Sequence, residues 1–173
     1  MKNKKGFSLI ELLVVIGIMS VLTTIVYVSV NQTRSKSRDQ ERISTILKIK
    51  LGLEYYYNLY GQYPQKLSDL YSGSSPLPAT SPGKITANDI IPPNGDQNNH
   101  GYYYVPLFKT EESSFCNSYH LYTKLESKTS VYDSRSNYNS EGDLLCIVNN
   151  YTPTDLRINA SSSSNIIYDV RPQ

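Results

Sequence analysis

Histidine is scarce in this sequence, and the shortage bears on enzymatic function. Only His100 and His120 occur among 173 residues. A catalytic nucleophile needs a base placed beside it, and histidine is the commonest such base. His100 lies in a stretch rich in proline and asparagine, and His120 is expected on the outward face of a strand. The serine run at 161–164 indicates a flexible polar segment, because a reactive serine also needs an oxyanion hole. We predict that the chain is not an enzyme.

A concentrated basic surface is also missing. The chain carries 17 basic and 15 acidic residues, and no cluster of lysine and arginine follows Arg42. Binding to nucleic acid requires cationic side chains gathered on one face of a protein. We therefore expect no nucleic-acid partner.

Cysteine is limited to Cys116 and Cys146, both in the polar part of the chain. In an oxidising compartment they could form a disulfide, which would contribute about 3 kcal/mol by constraining the unfolded chain. In a reducing compartment they would remain two free thiols that pack as small apolar side chains. The sequence leaves both alternatives open.

Aliphatic residues are concentrated at the N-terminus, whereas the remainder is rich in tyrosine, serine and asparagine. Residues 7–30 read FSLIELLVVIGIMSVLTTIVYVSV, and their only charge is Glu11. About two dozen such residues span a bilayer, and their transfer into lipid outweighs the cost of one acid. No A-x-A-like cleavage site follows the segment, so it does not resemble an ordinary secretory signal. We predict that 7–30 is a retained transmembrane helix.

The helical pattern continues from 31 to 60 and becomes amphipathic. Gly61 and Pro64 are typical of a helix end, which we place near residue 60. On the polar surface, Arg38 and Glu41 have the spacing of a favourable ion pair. We interpret the tyrosine stripe as core rather than as a ligand-stacking site. The apolar residues that keep helical spacing are Ile43, Ile46, Leu47, Leu53, Tyr57 and Tyr60, and the tyrosine stripe consists of Tyr55, Tyr56, Tyr57 and Tyr60.

Residues 61–173 are predicted to form a globular head. The part from 61 to 101 is dense in proline, glycine, serine and asparagine, which predicts a long surface loop with a short helical turn. The part from 102 to 173 contains alternating or apolar runs typical of strands: GYYYVPLF, SYHLYTKLE, DLLCIVNN and SNIIYDV. These runs predict three or four antiparallel strands on which the helix packs, and hence the α+β class.

The segment KKGFSLIELLVVIGIMSVL resembles the signal of type IV prepilins and type II secretion pseudopilins, with Gly6, Phe7 and Glu11 at matching positions. The resemblance implies a basic leader, 1–6, that a prepilin peptidase removes between Gly6 and Phe7 before Phe7 is N-methylated. It also implies that Glu11 of one subunit pairs with the N-terminal ammonium on Phe7 of an incoming subunit. Loss of the leader would leave 14 basic and 15 acidic residues, because three of the 17 basic residues lie within it.

A looser resemblance continues through ISTILKIKLGLEYYYNLYGQYP and the first two predicted strands, which look like the sheet of major pseudopilins. It implies the pilin fold and a structural filament subunit, specifically a major pseudopilin of a type II secretion or related system. The implied partners are further copies of the chain, the prepilin peptidase, minor pseudopilins, and an inner-membrane assembly platform with its ATPase. The implied location is a single pass of the bacterial cytoplasmic (inner) membrane with the head outside, and then an extracellular or periplasmic filament.

Two alternatives to the major pseudopilin remain open from the sequence. One is a minor, adhesive or competence pilin. The other is a membrane-anchored binding protein that does not polymerise and whose tyrosine-rich head recognises a surface, a peptide or a sugar.

Calcium is the one metal that the resemblance raises, because major pseudopilins bind it in a loop of the sheet. Oxygen ligands are present in the corresponding region, at Asp133, Asn139, Glu141 and Asp143. The aspartate-rich spacing of the family is not reproduced, and a solvated acidic loop is the ordinary interpretation. We assign no cofactor and no metal site, and leave calcium as an alternative.

Overall fold

The structure, a computed structural model, describes residues 6–93, 101–108, 115–127, 144–146 and 166–172. It confirms the α+β class, with one long N-terminal helix and a small antiparallel sheet. The elements are α1 (Leu9–Tyr60), a 3₁₀ turn (Leu67–Leu70), β1 (Tyr102–Phe108), β2 (Ser118–Leu125), β3 (Leu144–Leu145) and β4 (Ile166–Val170). Several predicted features lie outside the described residues, namely His100, the serine run 161–164 and the calcium candidates Asp133, Asn139, Glu141 and Asp143.

The chain divides into two compact units, Met1–Ser37 and Arg38–Gln173. In the first unit, the apolar side chains of α1 are exposed on all sides of the helix. The best 18-residue window of α1 has a mean hydropathy of 2.5, and none of that window is buried. Within the described residues, α1 is therefore the one helix that is long and apolar enough to cross a membrane.

The second unit contains a four-stranded sheet in the order β3-β1-β2-β4, with every neighbouring pair antiparallel. Val105 pairs with His120 between β1 and β2, and Thr123 pairs with Tyr168 between β2 and β4. The longest strand, β2, thus lies inside the sheet with a partner along each edge. The predicted turn before the sheet corresponds to the 3₁₀ turn, whose Leu70 is buried.

One face of the sheet and one stripe of α1 form the main hydrophobic core. The residues of α1 in this core are Ile43, Ile46, Ile49, Leu53 and Tyr56, and those of the sheet include Tyr104, Tyr119, Leu121, Leu125, Tyr168 and Val170. Leu47, Tyr57 and Tyr60 belong to the apolar pattern of the predicted amphipathic helix, yet they are 48%, 37% and 40% exposed. The reason at Leu47 is geometric, because a residue one position after Ile46 is rotated by about 100° away from the buried stripe.

The segment after the helix was predicted as a surface loop, but part of it is packed into the core. Leu77 and Ile85 are buried in the main cluster. The loop reaches α1 where two glycines meet: a Cβ added to Gly52 would lie 2.6 Å from the carbonyl oxygen of Gly83. Gly83 also has a φ of 69°, a conformation that favours glycine. The loop is therefore fixed against the helix by a backbone contact that side chains would prevent.

The second face of the sheet is buried as well, so the prediction that His120 faces outward is wrong. His120 is 2% exposed, and its Nδ1 lies 3.1 Å from Oδ2 of the buried Asp169. On the same face, the rings of Tyr103 and Tyr122 stack with their centroids 4.8 Å apart. The alternation in β2 identified which side chains share a face, but alternation does not reveal whether a face is covered.

Candidate functional site

The first turn of α1 contains the only charge of the described apolar segment. The backbone N–H of Ser8 donates a hydrogen bond of 2.9 Å to Oε2 of Glu11. This is one half of a capping box, in which an acidic residue in the first turn satisfies the backbone donor that precedes the helix. The N–H of Leu12 donates to the carbonyl oxygen of Ser8 at 3.2 Å and closes the turn. Glu11 thus caps its own helix through one of its two carboxylate oxygens.

Gly6 and Phe7 lie just before the helix, in a segment without regular secondary structure. A Cβ added to Gly6 would meet no atom of the described residues within 4 Å, and Phe7 is 87% exposed. Phe7 and Glu11 also line a shallow, open groove of about 350 Å³ together with Ile10, Val14 and Val15. The structure therefore places the three motif residues close together, on an accessible stretch of chain at the start of an apolar helix.

Further along the apolar segment, three hydroxyl groups are hydrogen-bonded within the helix. Ser20, Thr23 and Thr24 each donate to the carbonyl oxygen four residues earlier, at 2.7, 2.7 and 3.0 Å. Every hydroxyl hydrogen of this group is thereby satisfied without water, which suits an apolar environment. With Gly17, these small residues offer a surface on which another helix could approach closely.

Cys116 and Cys146 are joined by a disulfide, with their Cα atoms 5.5 Å apart. Both residues are buried, and the N–H of Cys146 donates to the carbonyl oxygen of Pro106 at 3.0 Å. The carbonyl oxygen of Cys116 accepts a hydrogen bond of 2.8 Å from the N–H of Tyr63. The disulfide therefore links the residues around β2 and β3, while Cys116 also contacts the chain that follows α1. No cysteine of the described residues is free.

Sequence reasoning missed a carboxylate that organises the tyrosine cluster. Glu54 accepts hydrogen bonds from the hydroxyls of Tyr63 and Tyr119, at 3.0 and 2.9 Å. Burial, and then contact with Glu54, raises the pKa of both phenols. The ring of Tyr63 also stacks on Tyr57 at 4.6 Å and meets Tyr119 edge-on at 4.7 Å. The hydroxyls of Tyr63 and Tyr119 and the three rings are thus engaged with neighbouring side chains, whereas among the four tyrosines of the predicted stripe only Tyr56 is buried.

A second group, which the sequence did not reveal, consists of charged residues that connect α1 near Arg38 with the end of β2. Arg38 forms an ion pair with Glu126, at the end of β2, rather than with the predicted partner Glu41. Arg42 bridges Asp39 and Glu126, at 2.8 and 2.6 Å. Glu126 lies 84 and 88 residues from Arg42 and Arg38, so no local spacing could have indicated these two contacts. Hydrogen bonds from Arg38 and Arg42 lower the pKa of Glu126 from 4.5 to about 2.

Among the described residues, no three histidine, cysteine or acidic side chains are grouped to hold a metal ion. The calcium candidates lie outside those residues, so the alternative of a calcium site stays a prediction.

A comparison with protein families finds one similarity. The model of the prokaryotic N-terminal methylation motif matches residues 1–27. No match is found among curated proteins or among solved structures. The match includes Gly6, Phe7 and Glu11, and it supports a type IV pilin-like prepilin signal at the N-terminus. Together with the apolar, exposed half of α1, this signal fits anchoring in the inner membrane.

Proposed function

We propose that this chain is the precursor of a filament subunit, a major pseudopilin of a type II secretion or related system. The observation that carries the proposal is that three properties occur together in the N-terminal segment. The methylation motif covers an exposed bond before the apolar half of α1, and the one charge of that half lies in the first turn of the helix. Each of these three properties has a role in a subunit that is cut, kept in the membrane and then polymerised.

The first role belongs to the bond between Gly6 and Phe7, where a prepilin peptidase cuts before Phe7 is N-methylated. A protease needs its substrate as an accessible extended strand, and exposed chain ends are where such cleavage concentrates. Gly6 adds no side chain that would crowd the catalytic site, and nothing in the described structure lies within 4 Å of its missing Cβ. The leader 1–6 leaves, while the apolar half of α1 stays in the membrane.

The second role belongs to Glu11, which pairs with the new N-terminal ammonium on Phe7 of an incoming subunit. A carboxylate in lipid is costly unless a cation or hydrogen-bond donors satisfy it. In the described structure, Oε2 receives one hydrogen bond from Ser8. A single neutral donor leaves the charge itself uncompensated, so an ammonium group from a second copy is favoured at this place. Because the pairing is point-to-point, it also sets the axial offset between neighbouring helices.

The remaining features support a head outside the cytoplasm. A buried disulfide between Cys116 and Cys146 is typical of oxidising compartments. A long helix followed by a small antiparallel sheet is a pilin-like layout. In this proposal the partners are other copies of the chain, the prepilin peptidase, minor pseudopilins, and the membrane platform with its ATPase. The product is a periplasmic or extracellular filament that carries no catalytic site.

The decisive test is the mature N-terminus, measured by intact mass and terminal peptide mapping in cells with and without a prepilin peptidase. We expect a chain that starts at N-methylated Phe7 only where the peptidase is present. Gly6→Val should block this processing, whereas the control Gly17→Ala, at a glycine of the apolar segment away from the cleaved bond, should be processed normally. An uncut chain, or cleavage beyond Val30, would reject the proposal in favour of an anchored or secreted binding protein.

A second measurement separates polymerisation from anchoring. Glu11→Ala should still be inserted in the membrane but should give no filaments in the fraction sheared from cells. Filament yield equal to that of the unaltered chain would show that Glu11 has no part in assembly. If the Glu11→Ala chain kept its cellular function while forming no filament, the anchored binding protein would be favoured instead.

A further inference from the structure

Five residues form a connected polar cluster between α1 and the end of β2, and we call them the ionic anchor: Arg38, Asp39, Arg42, Glu126 and Ser127. The first three come from the turn of α1 that begins the second unit, and the other two follow β2 directly. Within it, Oδ1 of Asp39 accepts the N–H of Glu126 at 3.0 Å. Oδ2 of Asp39 accepts both the N–H and the hydroxyl of Ser127, at 2.8 and 2.5 Å.

The anchor is buried at its centre. Asp39 and Arg42 have side chains that are at most 3% exposed, and Arg42 joins Asp39 to Glu126. The outer side is closed by Arg38, whose Nε lies 3.0 Å and 3.2 Å from the two oxygens of Glu126. Two cations thus face two carboxylates, and the formal charges cancel.

Stability alone is a poor explanation for such a cluster. Buried ion pairs are often no more stabilising than apolar side chains of the same volume, because both charges lose their water. Arg42 adds a further cost, since its Nε is a buried donor that has no hydrogen-bond partner among the described residues. The best-attested use of buried ionic groups is to fix one register among several.

The apolar packing of α1 on the sheet, beside the anchor, does not fix the axial register of the helix by itself. Helix α1 and strand β2 run in opposite directions, because Asp39 meets Ser127 whereas Glu54 meets Tyr119. Between these points, α1 packs on the sheet through similar aliphatic residues repeated along one stripe: Ile43, Ile46, Ile49 and Leu53. Apolar contacts are not directional, so a shift of one helical turn would replace one isoleucine by another. The hydrogen bonds of Asp39 permit no such shift, because their donors are backbone groups at fixed positions.

We propose that the ionic anchor fixes the axial position of α1 on β2 and transmits tension from the apolar half of α1 into the sheet. The origin of that tension rests on the proposed function, since a subunit drawn from the membrane into a filament is pulled through its N-terminal helix. Tension enters the second unit at Arg38, and the anchor is the first contact it meets. From there it passes to β2, which has hydrogen-bonded partners on both edges. The anchor resists the shear force that would otherwise make the aliphatic stripe of α1 slide along the sheet.

The experiment is force spectroscopy on the full, oxidised chain in detergent micelles, with handles coupled to azide-bearing amino acids. In the first geometry, the handles replace the exposed residues Lys36 and Phe115, so that tension enters α1 beside the anchor. Asp39→Asn should raise the rupture rate at constant force by about tenfold or more, the factor expected when hydrogen bonds to a charged group are weakened. Arg38→Met, at a partly exposed position, should act in the same direction and provides a second variant if Asp39→Asn folds poorly.

The matched control is Asp89→Asn, which removes an exposed ion pair that α1 makes through Lys48. It should change the rupture rate by less than about threefold, because exposed pairs contribute little. In the second geometry, the handles replace Gln62 and Phe115, so that tension reaches α1 at its far end. There, Asp39→Asn and Asp89→Asn should both have small effects.

Dependence on the pulling geometry is the result that a merely stabilising cluster would not give. If Asp39→Asn raised the rupture rate equally in both geometries, the anchor would merely stabilise the fold. That result would overturn the proposal. No acceleration in the first geometry would overturn it as well. A failure of the proposed function can be distinguished from a failure of this inference. It would appear as an unprocessed N-terminus, whatever the result of the force measurement.

Discussion

Low pH should lower the stability of the head because it protonates Glu126. The contribution of Glu126 can be isolated by substituting that residue. Two arginines lower the pKa of Glu126 from 4.5 to about 2 in the folded chain. A carboxyl group whose folded pKa is depressed contributes stability that is present above its unfolded pKa and is lost as pH falls toward its folded pKa. The relevant window therefore runs from about pH 4.5 down to about pH 2, and the contribution is complete at neutral pH.

The size of the effect follows from the same shift. A difference of about 2.5 pH units corresponds to roughly 3 kcal/mol, at about 1.4 kcal/mol for each unit. One fifth of the Glu126 side chain remains exposed, so solvent screens part of the interaction. We expect about 2 kcal/mol of pH-dependent stability from this group.

The assay is urea unfolding of the full chain in detergent, followed by the near-ultraviolet circular dichroism of its tyrosines at several pH values from 7 to 2.5. Other carboxyl groups titrate in the same range, so the quantity of interest is the difference between the unaltered chain and Glu126→Gln. The advantage of the unaltered chain should be largest at pH 7 and should fall by about 2 kcal/mol as pH approaches 2.5. A difference that stays constant over this range would refute the ionic account of Glu126.

Two further changes test the packing of the head by urea unfolding. Replacing Cys116 and Cys146 together by alanine should cost about 3.5 kcal/mol, because the disulfide closes a loop with a sequence separation of 30, and an unchanged free energy of unfolding would contradict this. Gly52→Ala should destabilise by about 1–2 kcal/mol although alanine is the better helix former, because its Cβ would lie 2.6 Å from the carbonyl oxygen of Gly83. Gly17→Ala is the control, since nothing lies near its Cβ and it should cause no loss.

The parts of this fold that the sequence predicted are those set by periodicity. The helix ends at Tyr60 as Gly61 and Pro64 indicated, because a left-handed glycine and a proline act locally. The best predicted strand appears as β2, because alternating side chains are a property of neighbouring residues. Predictions of this kind depend on a few consecutive positions, which the sequence displays directly.

What the sequence did not predict depends on contacts between distant residues. His120 was placed outward because alternation marks two faces without telling which are covered. Arg38 was paired with Glu41 because that residue is nearby, whereas its partner Glu126 lies 88 residues away. Glu54 gave no signal at all, since only the fold brings Tyr63 and Tyr119 to its two oxygens.

Two carboxylates of α1, Asp39 and Glu11, differ in how far the described residues satisfy them, and this difference matches the separate roles that we propose for them. Asp39 is buried and receives three hydrogen bonds from the chain after β2, in addition to its ion pair with Arg42. Its charge is compensated within the chain, so no further partner is required. Glu11 lies in an exposed apolar segment, and the described residues supply it with the N–H of Ser8 but with no cation. An ionised carboxylate in lipid requires more than that. In the proposed function, the N-terminal ammonium on Phe7 of a second copy supplies the positive charge that the described residues do not place beside Glu11.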